Sequence, residues 1–257
     1  MISRALKGLF GGESAPRRQP EGDVPTGERV YAIGDVHGRL DLLIRLLDSI
    51  DRDDAERGAA ETRIVLLGDL VDRGPQSKDV IDHLIQRDWR GRRVTCLRGN
   101  HEEVFLLTLA GNLEATRFWL KIGGAETMAS YGVPQALIES NDAVALADDF
   151  IARVPDAHTA FLHRMTDTVV VGGYCFVHAG IRPGVPLDRQ KPEDLRWIRD
   201  RFLDYEGSHG TVVVHGHSIS PAVEEFHNRI GIDTGAYATG ILTAIGIEAN
   251  HRWFLAT

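Results

Sequence analysis

Cysteine, long apolar runs and excess positive charge are what this chain of 257 residues has little of. Its two cysteines, Cys96 and Cys175, each sit inside an apolar run (Val94-Thr95-Cys96-Leu97 and Tyr174-Cys175-Phe176-Val177). There they read as buried thiols, which excludes a disulfide framework and a thiolate metal site. No stretch approaches the roughly 20 apolar residues that span a bilayer, so stable membrane insertion is not expected. With 29 Lys and Arg against 37 Asp and Glu, the formal net charge is −8, which argues against binding nucleic acid through a basic surface. What is present is ordinary for a soluble globular chain: 43% hydrophobic and 26% charged residues, long enough for one large domain or two small ones. A reducing cytoplasm is the simplest compartment, and a monomer the expected state.

Residues 1–28 differ from the rest. Ile2, Leu6, Leu9 and Phe10 with Arg4 and Lys7 make a short amphipathic pattern, and Gly11 to Pro25 is rich in Gly, Pro and charge. This composition predicts a flexible tail over 1–28, with a membrane-surface or partner-docking helix as the alternative. It lacks the apolar core and cleavage site of a signal peptide. One catalytic unit over 29–257 follows. Strands are expected at Val30–Ile33, Arg63–Leu67 and Arg93–Leu97, alternating with helices at Leu40–Ile50, Ser77–Asp88 (Ser77 as N-cap), His101–Ala110 and Thr116–Ile122. Asn141–Met165 reads as mostly helical, broken near Pro155. The second half turns to hairpins: Thr168–Val171 and Tyr174–Val177 flank Gly172-Gly173. Strands at Thr211–Val214, Arg229–Ile232, Leu242–Glu248 and Arg252–Leu255 follow. Early βαβ units and late antiparallel strands suggest mixed sheets with helices outside, an α/β class.

Five polar blocks each follow an apolar, often β-branched run. They are Gly34-Asp35-Val36-His37-Gly38, Gly68-Asp69-Leu70-Val71-Asp72-Arg73-Gly74, Arg98-Gly99-Asn100-His101-Glu102, His178-Ala179-Gly180 and His215-Gly216-His217. Carboxylate, amide and imidazole donors in this mixture suit Mn²⁺, Fe²⁺, Zn²⁺ or Co²⁺. Asp35 and His37, two apart in extended chain, point to one side. Asp69 ends the most apolar strand, where a carboxylate is costly unless cations neutralise it. Asp35, His37, Asp69, Asn100, His178 and His217 suffice for two ions that share one carboxylate, a centre suited to phosphate esters.

The ordered blocks GDxHG, GDxVDRG, RGNHE, HAG and HGH resemble the phosphoprotein phosphatase family of calcineurin-like binuclear metallophosphoesterases. The resemblance runs from about Arg29 to the C-terminus, and without a SAPNYC-like segment it is nearest the compact bacterial serine/threonine branch. It implies a four-layer α/β/β/α sandwich and two divalent ions, Mn²⁺ first, with Fe, Zn, Co or Ni as alternatives. One ion takes Asp35, His37 and Asp69; the other takes Asp69, Asn100, His178 and His217. It further implies that His101, oriented by Asp72, protonates the leaving oxygen, and that Arg73, Arg98 and an arginine after the HAG block grip phosphate. Arg199 is preferred there over Arg182, Arg196 and Arg201. Since the chain has Ile219 where the general GHxH pattern needs a histidine, His217 is the expected ligand and His215 a neighbour. The expected activity is hydrolysis of phosphoserine or phosphothreonine, and plausibly phosphotyrosine, in protein substrates by a metal-bound hydroxide. A symmetrical dinucleoside tetraphosphate hydrolase, which shares all five blocks, is the alternative; a non-catalytic phospho-binding pseudophosphatase is the third reading.

Overall fold

A computed structural model of the chain describes residues 22–140 and 142–257. The amphipathic pattern at residues 2–10 lies outside them. Residues 22–27 run along the body of the domain: Val24 is buried and donates its N–H to Ala249 O at 2.9 Å.

Strands β1 (Glu28–Ile33), β2 (Glu61–Leu66), β3 (Arg93–Cys96), β9 (Thr243–Glu248) and β10 (His251–Ala256) form one sheet in the order β10-β9-β1-β2-β3. Strands β4 (Thr168–Val171), β5 (Tyr174–Val177), β6 (Val212–His215), β7 (Glu224–Glu225) and β8 (Arg229–Gly231) form the other, in the order β4-β5-β6-β8-β7. Successive side chains of a strand point to opposite faces, and in these strands both faces are apolar. Tyr31 and Ile33 of β1, with Ile64 and Leu66 of β2, enter the core beneath the helices. Val30, Ala32, Val65 and Leu67 face the second sheet and meet Phe176, Val212, Val214 and Ile230. Val213, between two of these, points outward to Leu195, Ile198 and Phe202.

Three apolar layers therefore separate four structural ones, the expected α/β/β/α sandwich. Helices α1 (Leu40–Glu56), α2 (Ser77–Gln86), α3 (Asn100–Leu109), α4 (Leu113–Ile122), α5 (Gly124–Ser130), α6 (Gln135–Ile138), α7 (Ala143–Arg153) and α8 (Asp156–Arg164) lie on the first sheet's side. Helices α9 (Pro192–Trp197) and α10 (Asp200–Leu203) cover the second, and α11 (Ala236–Thr239) links β8 to β9.

Two local expectations are corrected. The later strands are not all antiparallel: β4 on β5, β7 on β8 and β9 on β10 are, but β5, β6 and β8 run parallel to one another. The connection over residues 178–211 carries α9 and α10 across the outer face, long enough for a parallel return. Ser77 is not the N-cap of α2; Gln76 stands there, and the Ser77 hydroxyl instead accepts the Asp72 N–H at 2.9 Å. The parallel trios β1-β2-β3 and β5-β6-β8 send their polar blocks out at carboxyl ends, the usual place for a site in such sheets.

Candidate metal centre

Asp69 leaves the end of β2 and stands between two sets of histidines. Its Oδ2 lies 3.6 Å from His37 Nε2, and its Oδ1 lies 3.4 Å from His178 Nε2. Donor atoms of His37, Asp69 and His101 fall within 4.8 Å of one another, and so do those of Asp69, His178 and His217. One carboxylate is thus common to two groups. Nδ1 of His37 lies 2.8 Å from Val71 O, and Nδ1 of His178 lies 2.9 Å from Leu67 O. A carbonyl accepts only from a protonated nitrogen, so each ring turns the lone pair of Nε2 inward. Asn100 Oδ1 and His217 Nδ1 complete the second set, 3.0 Å and 3.2 Å from His178 Nε2.

Asp35 belongs to neither triad at that spacing; its Oδ2 accepts the His217 N–H at 3.0 Å. Its Oδ1 and the Nε2 of His217 are buried without a hydrogen-bond partner. A buried anionic oxygen is unfavourable alone, and a divalent cation satisfies it; with Nδ1 of His217 facing the cluster, its Nε2 is the nitrogen that carries the ring's proton. Burial, with Asp233 and Asp69 nearby, holds the Asp35 carboxyl well above the usual range. Burial likewise pushes His37 down to about 3 and lowers His178 and His217, keeping them neutral as ligands must be. Asp69 goes the other way: burial would raise it, but His178, His101, His37 and His217 outweigh burial and hold it low. Six donors of this kind fit two divalent ions.

The backbone is bent to make this possible. Of the seven described non-glycine residues with positive φ, five are His37, Asp69, Asp72, Arg73 and His217. Such left-handed conformations persist where surrounding structure enforces them. Gly99 and Gly216 pass so close that a Cβ would strike the carboxylates of Asp69 and Asp35 respectively. Glu102, fully buried, ties the turns together by accepting N–H groups of Asp69 (2.9 Å), Leu70 (2.7 Å) and Gly99 (2.9 Å).

His101 Nε2 is 3.7 Å from Asp69 Oδ2, nearly as close as His37, so distance alone does not separate their roles. The partner at Nδ1 does: for His37 it is a carbonyl, for His101 the carboxylate of Asp72 at 2.5 Å. Burial lowers the pKa of His101, but Asp69 and the hydrogen bond to Asp72 prevail and raise it. A charged imidazole aimed at the cluster is a proton donor.

The arginines divide. Arg73 Nη1 lies 3.0 Å from His37 Nε2 and Nη2 3.2 Å from His101 Nε2, beside the cluster. Arg199 is exposed, and its charge is felt at His178, His217 and Asp233. Arg98 is not brought to the cluster as expected. Its Nη2 donates to Leu162 O (3.0 Å), His163 O (3.3 Å) and Met165 O (3.4 Å). The open carbonyls and negative end of α8 attract a guanidinium there. Of the alternatives to Arg199, Arg182 pairs with Asp194 at 2.7 Å and Arg196 with Asp167 at 2.7 Å. His215 turns away: Nδ1 lies 3.0 Å from Gly216 O, and the ring packs edge-on against Phe202 at 5.0 Å.

Four residues near the cluster carry no role in the sequence reading: Asp233, Trp119, Thr127 and Tyr237. Asp233 is buried beside Asp35, and burial pushes its carboxyl up to about 6. It had a readable signal, since Ile230-Gly231-Ile232-Asp233 is another apolar strand end with a carboxylate. Tyr237 of α11 lies 4.8 Å from the Arg73 guanidinium and 5.4 Å, edge-on, from His37. Among the described residues, no helix is long and apolar enough to cross a membrane.

The family profile described as calcineurin-like phosphoesterase matches residues 28–239. The symmetrical bis(5'-nucleosyl)-tetraphosphatase of Dechloromonas aromatica (strain RCB) is 33% identical over 60% of this chain, which spans only 44% of that relative's length. Serine/threonine-protein phosphatase 1 of Salmonella typhimurium (strain LT2) is 27% identical over 85% of this chain and 92% of its own. Among solved structures, one described as a candidate diadenosine tetraphosphatase superposes with a TM-score of 0.60 at 20% identity. It covers 91% of this chain and 95% of the other, and is a likeness of fold.

Proposed function

This chain belongs to the calcineurin-like phosphoesterase family and is a hydrolase of that kind; from that premise we propose that it cleaves dinucleoside polyphosphates, a dinucleoside tetraphosphate first among them. The observation that carries this reading is the aromatic surface beside the phosphate-binding arginines. Tyr237, 36% exposed, lies next to Arg73. Phe118, 42% exposed, sits one turn before Ile122, whose carbonyl accepts from Arg73 Nε at 3.4 Å. It packs at 6.0 Å against Trp197, two residues before Arg199. One aromatic face against Arg73, and a second aromatic pair near Ile122 and Arg199 in sequence, suit nucleobases joined by phosphates, with stacking worth roughly 1–3 kcal/mol per base. The name of the Dechloromonas relative supports the same substrate class.

Asp35, His37, Asp69, Asn100, His178 and His217 would hold the two ions, which when bound activate water and offset phosphate charge. Arg73 and Arg199 orient the phosphate, their planar forks bonding two oxygens at once. His101 delivers a proton from Nε2 to the leaving oxygen, and Asp72 keeps that ring oriented.

Hydrolysis of phosphoserine or phosphothreonine in proteins is the second reading. One feature favours it: an acid as well held as His101 matters most for a basic alkoxide, less for a nucleoside diphosphate. The match to Salmonella serine/threonine-protein phosphatase 1 over most of its length supports it too. With Mn²⁺ present, diadenosine tetraphosphate and a panel of phosphoserine, phosphothreonine and phosphotyrosine peptides should be compared by kcat/KM. Two stacked bases predict a preference of at least roughly tenfold for the dinucleotide. A higher kcat/KM on any peptide would reverse the order of the two readings.

A further inference from the structure

Asp72 is fully buried at φ 75°, and each oxygen of its carboxylate is claimed by a donor from elsewhere in the chain. Oδ2 lies 2.5 Å from His101 Nδ1 and accepts the Trp119 indole N–H at 2.6 Å. Oδ1 accepts the Thr127 hydroxyl at 2.5 Å. Thr127 has a single proton to give, and a carboxylate only accepts, so that proton goes to Asp72. The Ser77 hydroxyl, 2.8 Å from Thr127 Oγ1, must then donate to it. The Asp72 N–H lies 2.9 Å from both hydroxyl oxygens and closes the ring of contacts.

We propose that the α4–α5 corner is a brace for proton delivery, in which Trp119 and Thr127 hold the Asp72 carboxylate so that His101 keeps Nδ1 protonated and presents Nε2 to the leaving oxygen. Both are positioning residues, acting through Asp72 and touching no reacting atom. With Trp119 and Thr127 donating, Asp72 is locked as an acceptor in one rotamer. The imidazole opposite it is then locked in tautomer and ring orientation, the service a buried carboxylate performs for a catalytic histidine. The rest of the Trp119 ring packs in the apolar core, 5.0 Å from Phe105 and 5.1 Å from Phe150, so its one polar atom is directed at Asp72. The same corner also seats the phosphate arginine: Arg73 donates its backbone N–H to Gly123 O at 3.0 Å and Nε to Ile122 O at 3.4 Å. The helical segment between the RGNHE and HAG blocks thereby sets both the acid and the phosphate donor.

This inference rests on His101 as the proton donor, and the test separates the two. Mn²⁺-loaded Trp119→Phe, Thr127→Val, Thr127→Ser and His101→Asn are assayed on phenyl phosphate, whose phenolate is basic, and on 4-nitrophenyl phosphate, whose leaving anion is stable. In Trp119→Phe and Thr127→Val, kcat on phenyl phosphate should fall about 10–100-fold, the scale usual for lost orienting partners. On 4-nitrophenyl phosphate it should fall several times less, with KM for both within about twofold, since Arg73 is seated by the backbone carbonyls of Ile122 and Gly123, which these substitutions keep. Thr127→Ser, which keeps the hydroxyl, should restore wild-type leaving-group dependence. Equal losses on the two substrates, or a Thr127→Ser loss as large as that of Thr127→Val, would overturn the brace. So would leaving-group dependence in His101→Asn alone, which leaves the acid assignment standing. Its absence in His101→Asn as well would overturn both.

Discussion

Asp72 accepts from His101, Trp119 and Thr127, whereas Asp35, almost as deeply buried, accepts one backbone N–H and has an oxygen without a partner. The first carboxylate lies in a closed pocket whose polar groups answer one another. The second lies in an open cluster where Asp69, Asp233 and several neutral imidazoles face inward and the protein supplies too little positive charge. Burying a charge is tolerable when donors or cations complete it. The difference teaches what each region is for. The closed pocket fixes the direction of one proton, and the open one is shaped around charges brought from outside. Arg73 stands on the boundary, held by the α4–α5 corner but reaching His37 and His101.

The sharpest break of that comparison is to neutralise each carboxylate in turn. Asp35→Asn should weaken Mn²⁺ binding and reduce kcat/KM on the order of 10²–10³-fold. Asp72→Asn should keep its metal through desalting while losing kcat on poor leaving groups. Metal analysis of both variants checks this; equal metal loss would erase the distinction between open and closed regions.

A second, smaller contrast is between Arg73 and Arg98. Removing a charge-assisted phosphate bond costs roughly 1.5–3 kcal/mol, so Arg73→Ala should lower kcat/KM on the order of tenfold to 10²-fold. Arg98→Ala should instead lower the melting temperature by a few degrees, with kcat/KM within about threefold, because its contacts are to the end of α8. The reverse pattern would place Arg98 in the site after all.

The smallest effect expected is on stability without metal. The Asp233 carboxyl is pushed up to about 6 from an ordinary value of 3.8, chiefly by burial. A carboxyl whose folded pKa is raised binds its proton more tightly when folded, so its contribution to stability declines as pH rises. Metal-free wild type should therefore lose stability relative to metal-free Asp233→Asn between about pH 4 and pH 6, with a constant difference above that window. Histidines with lowered pKa act oppositely on both proteins and drop out of the difference. A gap that does not widen over that window would contradict the assignment.

Most of the open cluster was legible in the chain because each ligand lies just past an apolar strand with a glycine one or two residues away, a local pattern with a local cause. Asp233 carried the same pattern and lacked only a motif. The closed pocket was not legible. Trp119 and Thr127 reach Asp72 from 47 and 55 residues away, on helices whose spacing reports only an apolar face. Ser77 reads as a helix cap locally and becomes part of that pocket only in the fold. Arg98 shows the limit of a motif: the block positions a backbone, but a long side chain goes to whichever carbonyls are open. The four layers came with the family resemblance, and strands apolar on both faces are their physical reason, whereas the parallel run of β5, β6 and β8 depended on a long connection whose periodicity is weak.

The most direct test of the open cluster is anomalous diffraction from crystals of the full chain grown with Mn²⁺. Two Mn²⁺ peaks should appear about 3.5–4 Å apart, the spacing usual for paired ions, with one oxygen of Asp69 toward each and His101 bonded to Asp72 and to neither ion. A single peak in fully loaded crystals, or His101 coordinating in place of Asp35, would contradict it.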